Sequence, residues 1–253
     1  MIRSRLRMRG GGSGGGSPPA FAPTDISGLQ LWLDASDAAS ITHSLNAVSQ
    51  WNDKSGNARH VTQGSASNQP TTNTGTINSL NAINFDGSND LLEHLTSMGG
   101  ILGGDNTFFF VAQADTSNEF GTIMGANYGD QFIVFYNNTN YRYHHRDSGA
   151  LPYPGEAIVF NTPNTSQHIL LTTRTGTSEY RLRLDGGSGS VNNGGATNVT
   201  TSVFQIGAQN TGFRQFDGRI GEIAAYNRVL TTSELNQMGT YLAAKWGITW
   251  TNI

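Results

Sequence analysis

Acidic side chains are the first candidates for chemistry, because two carboxylates on one face of a β-sheet can cleave a glycosidic bond as acid and nucleophile. The spacing E-x-D-x-E would place them so, because alternate residues of a strand share a face. That spacing is absent, and the acids from Asp115 to Asp185 are scattered. Gly11–Gly15 matches G-x-S-x-G only as part of a glycine run, without the strand and helix of a nucleophile elbow. We therefore expect a protein that is not an enzyme, with polysaccharide hydrolysis the least favoured function.

Hard oxygen ligands for a cation occur at one turn. Asp86 and Asp90 lie on either side of Gly87, with Asn89 between them. Carboxylate and amide oxygens are the ligands that Ca²⁺ takes in proteins. The spacing predicts a calcium site at Asp86 and Asp90, and its alternative is a plain turn. No other cofactor is expected, and a chain with no cysteine has neither disulfides nor thiolate metal sites.

Aromatic and polar side chains cluster at one predicted hairpin. Its tight turn is Asn137–Asn140, between a strand that ends at Tyr136 and a strand that begins at Tyr141. Exposed tyrosine rings can stack on a sugar while amide and guanidinium groups hold its hydroxyls. The cluster predicts a glycan-binding site, and its alternative is ordinary packing of the tyrosines. The residues concerned are Tyr136, Asn138, Tyr141, Arg142 and Tyr143.

The first residues of the chain form a distinct basic segment. Arg3, Arg5, Arg7 and Arg9 carry a formal charge of +4, while the rest of the chain carries −7, for a net charge of −3. A glycine and serine tract, Gly10–Ser17, and two prolines follow. Residues 1–24 are therefore predicted to be an arm whose arginines bind another subunit. The alternative is a disordered tail.

Composition predicts one all-β domain over residues 25–253. Of 253 residues, 32 are glycine and only 13% are charged, which favours turn-rich strands over a helical bundle. The short apolar segments recur every 8 to 15 residues or so, as in a sandwich or jelly roll. Residues 63–79 are polar and predict a long loop, whereas Thr107–Ala114 is apolar throughout and predicts a central strand.

The end of the domain predicts a strand followed by its only convincing helix. In the strand Arg219–Tyr226, alternation places Ile220 and Glu222 on one face, and Gly221 and Ile223 on the other. Thr231 and Glu234 have capping-box spacing, and Gly247 predicts the helix end. Apolar residues line one helix face at Leu235, Met238, Leu242 and Trp246. We expect Tyr226, Asn227 and Arg228 to fix the corner between strand and helix.

Five segments in order carry a resemblance to a known family. They are GLQLWLDAS, WNDKSGN, INFDGSNDLL, FFFVAQA and GRIGEIAAYNRVLTTSELNQMGTYLAAKWG. The sequence resembles laminin-G-like, concanavalin A-like jelly-roll domains of the kind found in phage virion and bacterial surface proteins. The resemblance covers nearly all of residues 25–250. It implies an all-β jelly-roll sandwich with one C-terminal capping helix, and it implies function weakly, since this fold serves lectins, glycosidases and structural domains.

Three functions remain, of which the polysaccharide hydrolase is the least favoured. The favoured prediction is a virion structural protein, a capsid decoration, cement or fibre protein, which the arm anchors to capsid or tail subunits. The alternative is a carbohydrate-binding adhesion module that recognises cell-surface glycans, located at a bacterial surface. Both predict membership of a homo-oligomer or larger assembly. The acidic body argues against nucleic acid as a partner, and no apolar run reaches the roughly 18 residues of a membrane span.

Overall fold

The computed structural model describes residues 20–96, 99–116, 121–126, 132–136, 140–145, 156–159, 164–176, 178–193, 204–209 and 214–253. Three single 3-10 turns lie at Pro23–Asp25, Ala38–Ser40 and Ala66–Asn68, and two α-helices at Gly99–Leu102 (α1) and Thr232–Trp246 (α2). The strands within these ranges are β1 Leu29–Asp34, β2 Ile41–Ser44, β3 Ala47–Trp51, β4 Val61–Thr62, β5 Thr71–Ile77, β6 Leu80–Asp86, β7 Leu92–His94, β8 Asn106–Ala114, β9 Gly121–Ala126, β10 Phe132–Tyr136, β11 Tyr141–His145, β12 Glu156–Val159, β13 Gln167–Thr175, β14 Glu179–Leu184, β15 Ser190–Asn192, β16 Phe204–Ile206 and β17 Asp217–Tyr226.

The strands pair antiparallel in two layers. The front sheet runs β2-β3-β4-β7-β16-β9-β10-β11-β12. In the back sheet, β17 pairs along one edge with β8, which continues to β13, β14 and β15. The other edge of β17 pairs with β6 in its first half and with β1 in its second half. A pairing of Ala47 with Thr71 joins the layers at one side. This arrangement confirms the predicted sandwich.

Strand β8 separates two hydrophobic cores. Phe108 and Phe110 belong to the core between the sheets, while Phe109 and Val111 belong to a second core beneath α2. Because alternate residues of a strand face opposite ways, a strand with apolar neighbours on both faces needs apolar residues throughout. The central position predicted for Thr107–Ala114 is therefore confirmed, within one residue of its observed bounds.

Helix α2 covers the outer face of the back sheet. The Thr231 side chain accepts a hydrogen bond from the backbone of Glu234, and Gly247 ends the helix in the left-handed conformation at φ 68°. Both caps are as predicted. Leu235, Met238, Leu242 and Trp246 are buried in the second core, which confirms the predicted apolar face. In the part of the chain that the structure describes, neither helix is long and apolar enough to cross a membrane.

A β-bulge in β17 corrects the prediction of its faces. The pairing with β8 shifts between Ile220 and Glu222. Ile220 consequently lies in the core between the sheets with Ile223. A side chain added at Gly221 would meet the Trp246 ring at 2.8 Å, so this residue faces the helix together with Glu222. A bulge adds one unpaired residue to a strand, which moves all earlier residues to the opposite face.

The predicted loop over residues 63–79 is wrong in its second half. The strand β5 occupies Thr71–Ile77 and pairs with β6. Its residues are polar because Asn73, Thr74 and Thr76 are exposed, so the strand lacks the apolar alternation by which buried strands are recognised. The boundary between arm and domain at residue 24 stays a prediction.

Candidate functional site

The outer face of the front sheet carries polar side chains between apolar ones. Phe204 and Ile206 point into the core, so Gln205 points away from it. By the same alternation, Glu93 follows the core residue Leu92 and faces outward. Arg142 lies between two core tyrosines and also faces outward. Three strands of one sheet therefore present polar groups on the same outer surface.

Strand register brings these groups together. Glu93 pairs with Gln205, and Gln205 pairs on its other side with Gly125. A side chain added at Gly125 would contact Thr122 at 3.4 Å and Gln209 at 3.6 Å, so these two residues share that face. In a neighbouring row across the same sheet, Phe135 pairs on one side with Thr122 and on the other side with Arg142. We define the polar band as Glu93, Thr122, Arg142, Gln205, Gln209 and Arg214.

The polar band is mostly sheltered, and hydrogen bonds join some of its side chains. Gln205 donates from Nε2 to Glu93 Oε2 at 3.3 Å, and Arg214 donates from Nη1 to Gln209 Oε1 at 3.4 Å. Gln205 is 0% exposed and Gln209 3% exposed, while both arginines and Glu93 are half-buried. The Thr122 hydroxyl is buried and has no hydrogen-bond partner within the described ranges. Planar groups held this way on strands can bind vicinal hydroxyl groups.

The structure corrects the expectation for two hairpin tyrosines. Tyr143 is completely buried and Tyr141 is 4% exposed, and both belong to the core between the sheets. Burial raises the pKa of Tyr141 to about 12. Neither ring offers a face to a sugar, because each occupies an inward position of β11. Arg142, between them, joins the polar band as an outward residue. The side chain of Tyr136 and the whole of Asn138 lie outside the described residues.

The two acids predicted to bind calcium do meet at one turn. Asp86 Oδ1 accepts the backbone N–H groups of Ser88 at 2.9 Å and Asn89 at 3.2 Å. Asp90 Oδ2 accepts the N–H of Asp86 at 3.0 Å. Burial and the neighbouring charge of Asp86 raise the pKa of Asp90 to about 7. Among the described residues, no three His, Asp or Glu side chains gather as a metal site, and calcium stays a prediction.

The arginines of the arm, Arg3, Arg5, Arg7 and Arg9, lie outside the described residues. The prediction that they bind a capsid or tail subunit is therefore untested by the structure, as is the virion location.

The predicted corner between the last strand and helix α2 is observed. Arg228 forms two hydrogen bonds with Glu234, at 2.9 and 2.6 Å, and one with the carbonyl of Ser27. The hydroxyl of Tyr226 donates to the carbonyl of Pro23.

A charged cluster beneath α2 is the best-formed polar feature of the described structure. Glu222 is 0% exposed. Its Oε1 accepts from Trp32 Nε1 at 2.8 Å and Tyr241 Oη at 3.0 Å. Its Oε2 accepts from Lys245 Nζ and Trp246 Nε1, both at 2.8 Å. Lys245 also donates to Asp34 Oδ1 at 2.7 Å. We call Trp32, Asp34, Lys54, Glu222, Tyr241, Lys245 and Trp246 the sealed network.

The pKa values of two carboxylates in the sealed network are shifted in opposite directions. Burial raises the pKa of Glu222 above its ordinary value, although Lys245 opposes this. Burial also favours a higher pKa at Asp34, but the hydrogen bond and charge of Lys245, with Ser36 and Lys54, bring it below the ordinary value. Such a divided pair is typical of an acid and a nucleophile. Here all four strong acceptor positions of Glu222 are filled and no surface is exposed, so the pair is structural.

The polar band contains residues that sequence reasoning missed. Glu93, Gln205 and Gln209 attracted no prediction, because each is an isolated polar residue in a short segment. The usable signal was the alternation Phe204-Gln205-Ile206, which predicts an outward amide. No local signal shows that Gln205 lies beside Glu93, because 112 residues separate them.

The fold and the polar band define a lectin-like jelly roll, in which two antiparallel sheets enclose the core. The chain belongs to the concanavalin A-like lectin/glucanase superfamily, whose laminin-G-type family model matches residues 101–236, more than half of the chain. The resemblance seen in the sequence is thereby confirmed. No curated protein matches the sequence closely enough to indicate a relative.

Several solved structures are similar in fold. Trypanosoma rangeli sialidase in complex with sialic acid superposes with a TM-score of 0.60 and 15% identity, over 88% of this chain and 34% of the sialidase. The botulinum neurotoxin serotype D ligand binding domain in complex with N-acetylneuraminic acid gives 0.63 and 13%, over 88% and 54%. The binding domain of Paraclostridial Mosquitocidal Protein 1 gives 0.60 and 13%, over 87% and 53%. This chain thus spans a third to about half of each of these proteins.

Proposed function

We propose that this chain is a carbohydrate-binding module that recognises glycans with the outer face of its front sheet. The observation that carries the proposal is the polar band, where Glu93, Gln205 and Arg142 lie on strands of one sheet and Gln209 and Arg214 lie beside them. Membership of a superfamily that contains lectins supports the proposal.

Sialylated glycans are the first ligands to test. Two of the structures with a similar fold, the sialidase and the neurotoxin domain, contain sialic acid. Arg142 and Arg214 are the cations of the polar band, and a guanidinium group can bind a sugar carboxylate through two parallel hydrogen bonds. Glu93, which is half-buried, is suited to a sugar hydroxyl group. Binding in this proposal involves no bond cleavage.

A glycan array with the full chain tests the proposal, followed by calorimetric titration of each glycan that binds. We expect specific binding, and we expect Arg142→Gln to weaken it at least about tenfold, as for loss of a charged hydrogen bond. Arg181→Gln is the matched control, because Arg181 faces outward from β14 of the back sheet between core residues Tyr180 and Leu182. Equal binding by the two variants, or an array without specific binding, would overturn the proposal. Release of reducing sugar would instead identify a hydrolase.

A further inference from the structure

Lys245 is the member of the sealed network that contacts both of its buried acids. Its Nζ lies 2.7 Å from Asp34 Oδ1 and 2.8 Å from Glu222 Oε2. The lysine side chain is 17% exposed, whereas that of Asp34 is 6% exposed and that of Glu222 0%. This burial excludes an external substrate, but it does not prevent the three side chains from reacting with one another.

The fold holds the lysine nitrogen beside the carboxyl carbon of Asp34. Strand β1 positions Asp34, and helix α2 positions Lys245. A nitrogen in hydrogen-bond contact with Oδ1 lies close to the carbon that carries this oxygen, near the ~3–3.5 Å at which reacting atoms approach each other. Well-oriented groups within one molecule reach effective concentrations of about 10⁵–10⁸ M. The contact therefore pairs a nucleophile with an electrophile as well as a cation with an anion.

We propose that Lys245 and Asp34 condense into an isopeptide bond, a covalent cross-link between strand β1 and helix α2. The pair is ionic at rest, since the pKa of Asp34 is below its ordinary value. An ammonium group and a carboxylate together contain every atom of one amide and one water, so no co-reactant is needed. The bond from Nζ to the carboxyl carbon forms, and the bond from that carbon to Oδ1 breaks. Oδ1 leaves as water with two protons from Nζ.

Glu222 has the properties of the proton carrier for this reaction. Burial raises the pKa of Glu222, so it takes a proton from Nζ more readily than an exposed glutamate would. The transfer leaves a neutral amine, which is the nucleophilic form of lysine. One proton then reaches Oδ1 through Glu222 and the other directly from Nζ. Lys54 contacts Asp34 Oδ2 at 3.1 Å and stabilises the negative charge that develops on this oxygen.

The loss of two sheltered charges favours the amide. An ion pair beneath a helix costs the hydration free energy of both groups, whereas an amide is neutral. The water that is released can leave through the cleft beside α2, which Tyr241, Ala244 and Lys245 help to line. A link between residues 34 and 245 encloses most of the sandwich, and such a link stabilises a fold by restricting its unfolded state.

Mass spectrometry of the full chain tests this proposal directly. We expect an intact mass that is lower by one water than the mass of the sequence, with allowance for removal of the first methionine. Trypsin should release one fragment in which residues 10–54 are joined to residues 229–253, because a cross-linked Lys245 resists cleavage. An intact mass without the loss of water would overturn the proposal.

The position of the lost water separates the cross-link from other dehydrations. Lys54 is the other lysine of the sequence, and it also contacts Asp34. Asp86 precedes Gly87, and an aspartate before a glycine can lose water by cyclising on the backbone. A loss that maps to Lys54 or to Asp86 would contradict the assignment to Lys245.

Two variants test the roles of the side chains. Lys245→Arg keeps the charge and removes the primary amine, so its intact mass should equal that of its sequence. Glu222→Gln keeps the shape and cannot carry the proton, so cross-linking should slow at least about a hundredfold. Glu234→Gln is the matched control, since Glu234 is an acid of the same helix that bonds with Arg228. It should cross-link as the natural chain does.

The outcomes remain separable if one variant does not fold, because the mass of the natural chain decides the cross-link by itself. Circular dichroism checks the fold of each variant. Loss of water from Lys245→Arg would overturn the cross-link, and full-rate cross-linking in folded Glu222→Gln would overturn the role of Glu222. Glycan binding by a chain without the cross-link would show that the proposed function survives the failure of this inference.

Discussion

The sealed network and the polar band lie on opposite outer sides of the sandwich, and each contains an acid on a strand, Glu222 in the first and Glu93 in the second. In the sealed network, hydrogen bonds of 2.7–3.0 Å connect Glu222 with four donors and Lys245 with Asp34. In the polar band, Gln205 donates to Glu93 at 3.3 Å and Arg214 donates to Gln209 at 3.4 Å, while Glu93 and both arginines are half-buried. A completely buried, hydrogen-bonded cluster stabilises the fold, whereas polar groups that reach the surface can also bind a ligand.

Loss of the central acid should give the largest effect. Glu222→Ala removes the carboxylate that accepts from Lys245 and three other donors beneath α2, and we expect the free energy of unfolding to fall by about 3–5 kcal/mol. Urea unfolding at pH 7 measures this. Glu179→Ala, at a half-exposed ion pair of the back sheet, should cost less than about 1 kcal/mol. A similar loss in both variants would show that the sealed network stabilises the fold no more than a surface ion pair does.

The turn at Asp90 should give an intermediate effect of opposite sign. The pKa of the Asp90 carboxyl is raised from 3.8 to about 7, so the folded state binds a proton there more readily than the unfolded state. The stabilisation that protonated Asp90 contributes to the fold is complete below pH 4 and disappears as the pH rises through about 7. At pH 8, Asp90→Asn should therefore raise the free energy of unfolding by about 1–2 kcal/mol. Wild-type unfolding from pH 4 to 8 should show the matching decline, and a flat profile would refute this prediction. Stabilisation by Ca²⁺ in the wild type alone would support the calcium site.

The corner at Arg228 should give a smaller effect with the ordinary acid dependence. The hydrogen bonds of Arg228 lower the pKa of Glu234 to about 2, and the capping contacts of Thr231 contribute. That stabilisation is present above pH 4.5 and is lost as the pH falls towards 2. Arg228→Ala should cost about 1 kcal/mol at pH 7, discounted for the partial exposure of the pair, and less at pH 3. A cost that is independent of pH would assign the effect to lost packing.

The polar band should give the smallest effect on stability and the largest on binding. Glu93→Gln keeps the shape of the side chain and removes a charge at a half-buried position, so we expect the free energy of unfolding to change by less than about 0.5 kcal/mol. Glycan affinity should fall at least about tenfold. A thermal melt and a titration on the same sample measure both. Strong destabilisation without loss of binding would make the polar band a second structural cluster.

Local patterns in the sequence predicted the elements with strong periodicity. The caps at Thr231 and Gly247 and the central strand β8 are where their residues indicate. The polar edge strand β5 was not predicted, because Asn73, Thr74 and Thr76 face solvent and the strand gives no apolar alternation. The site was predicted less well. Tyr141 and Tyr143 were noticed as aromatic residues, but residue type does not tell an inward position from an outward one on an isolated strand.

Sequence by itself determined that this chain forms an all-β sandwich closed by one capped helix, because periodicity and capping depend on residues a few positions apart. Only the tertiary structure decided which polar groups meet. Trp32 and Glu222 are 190 residues apart in the chain, and Gln205 and Glu93 are 112 apart, yet each pair is hydrogen-bonded. Strand pairing sets such contacts, and a single bulge at Gly221 changes which side chains reach the helix. The separation of the sealed network from the polar band follows from that pairing.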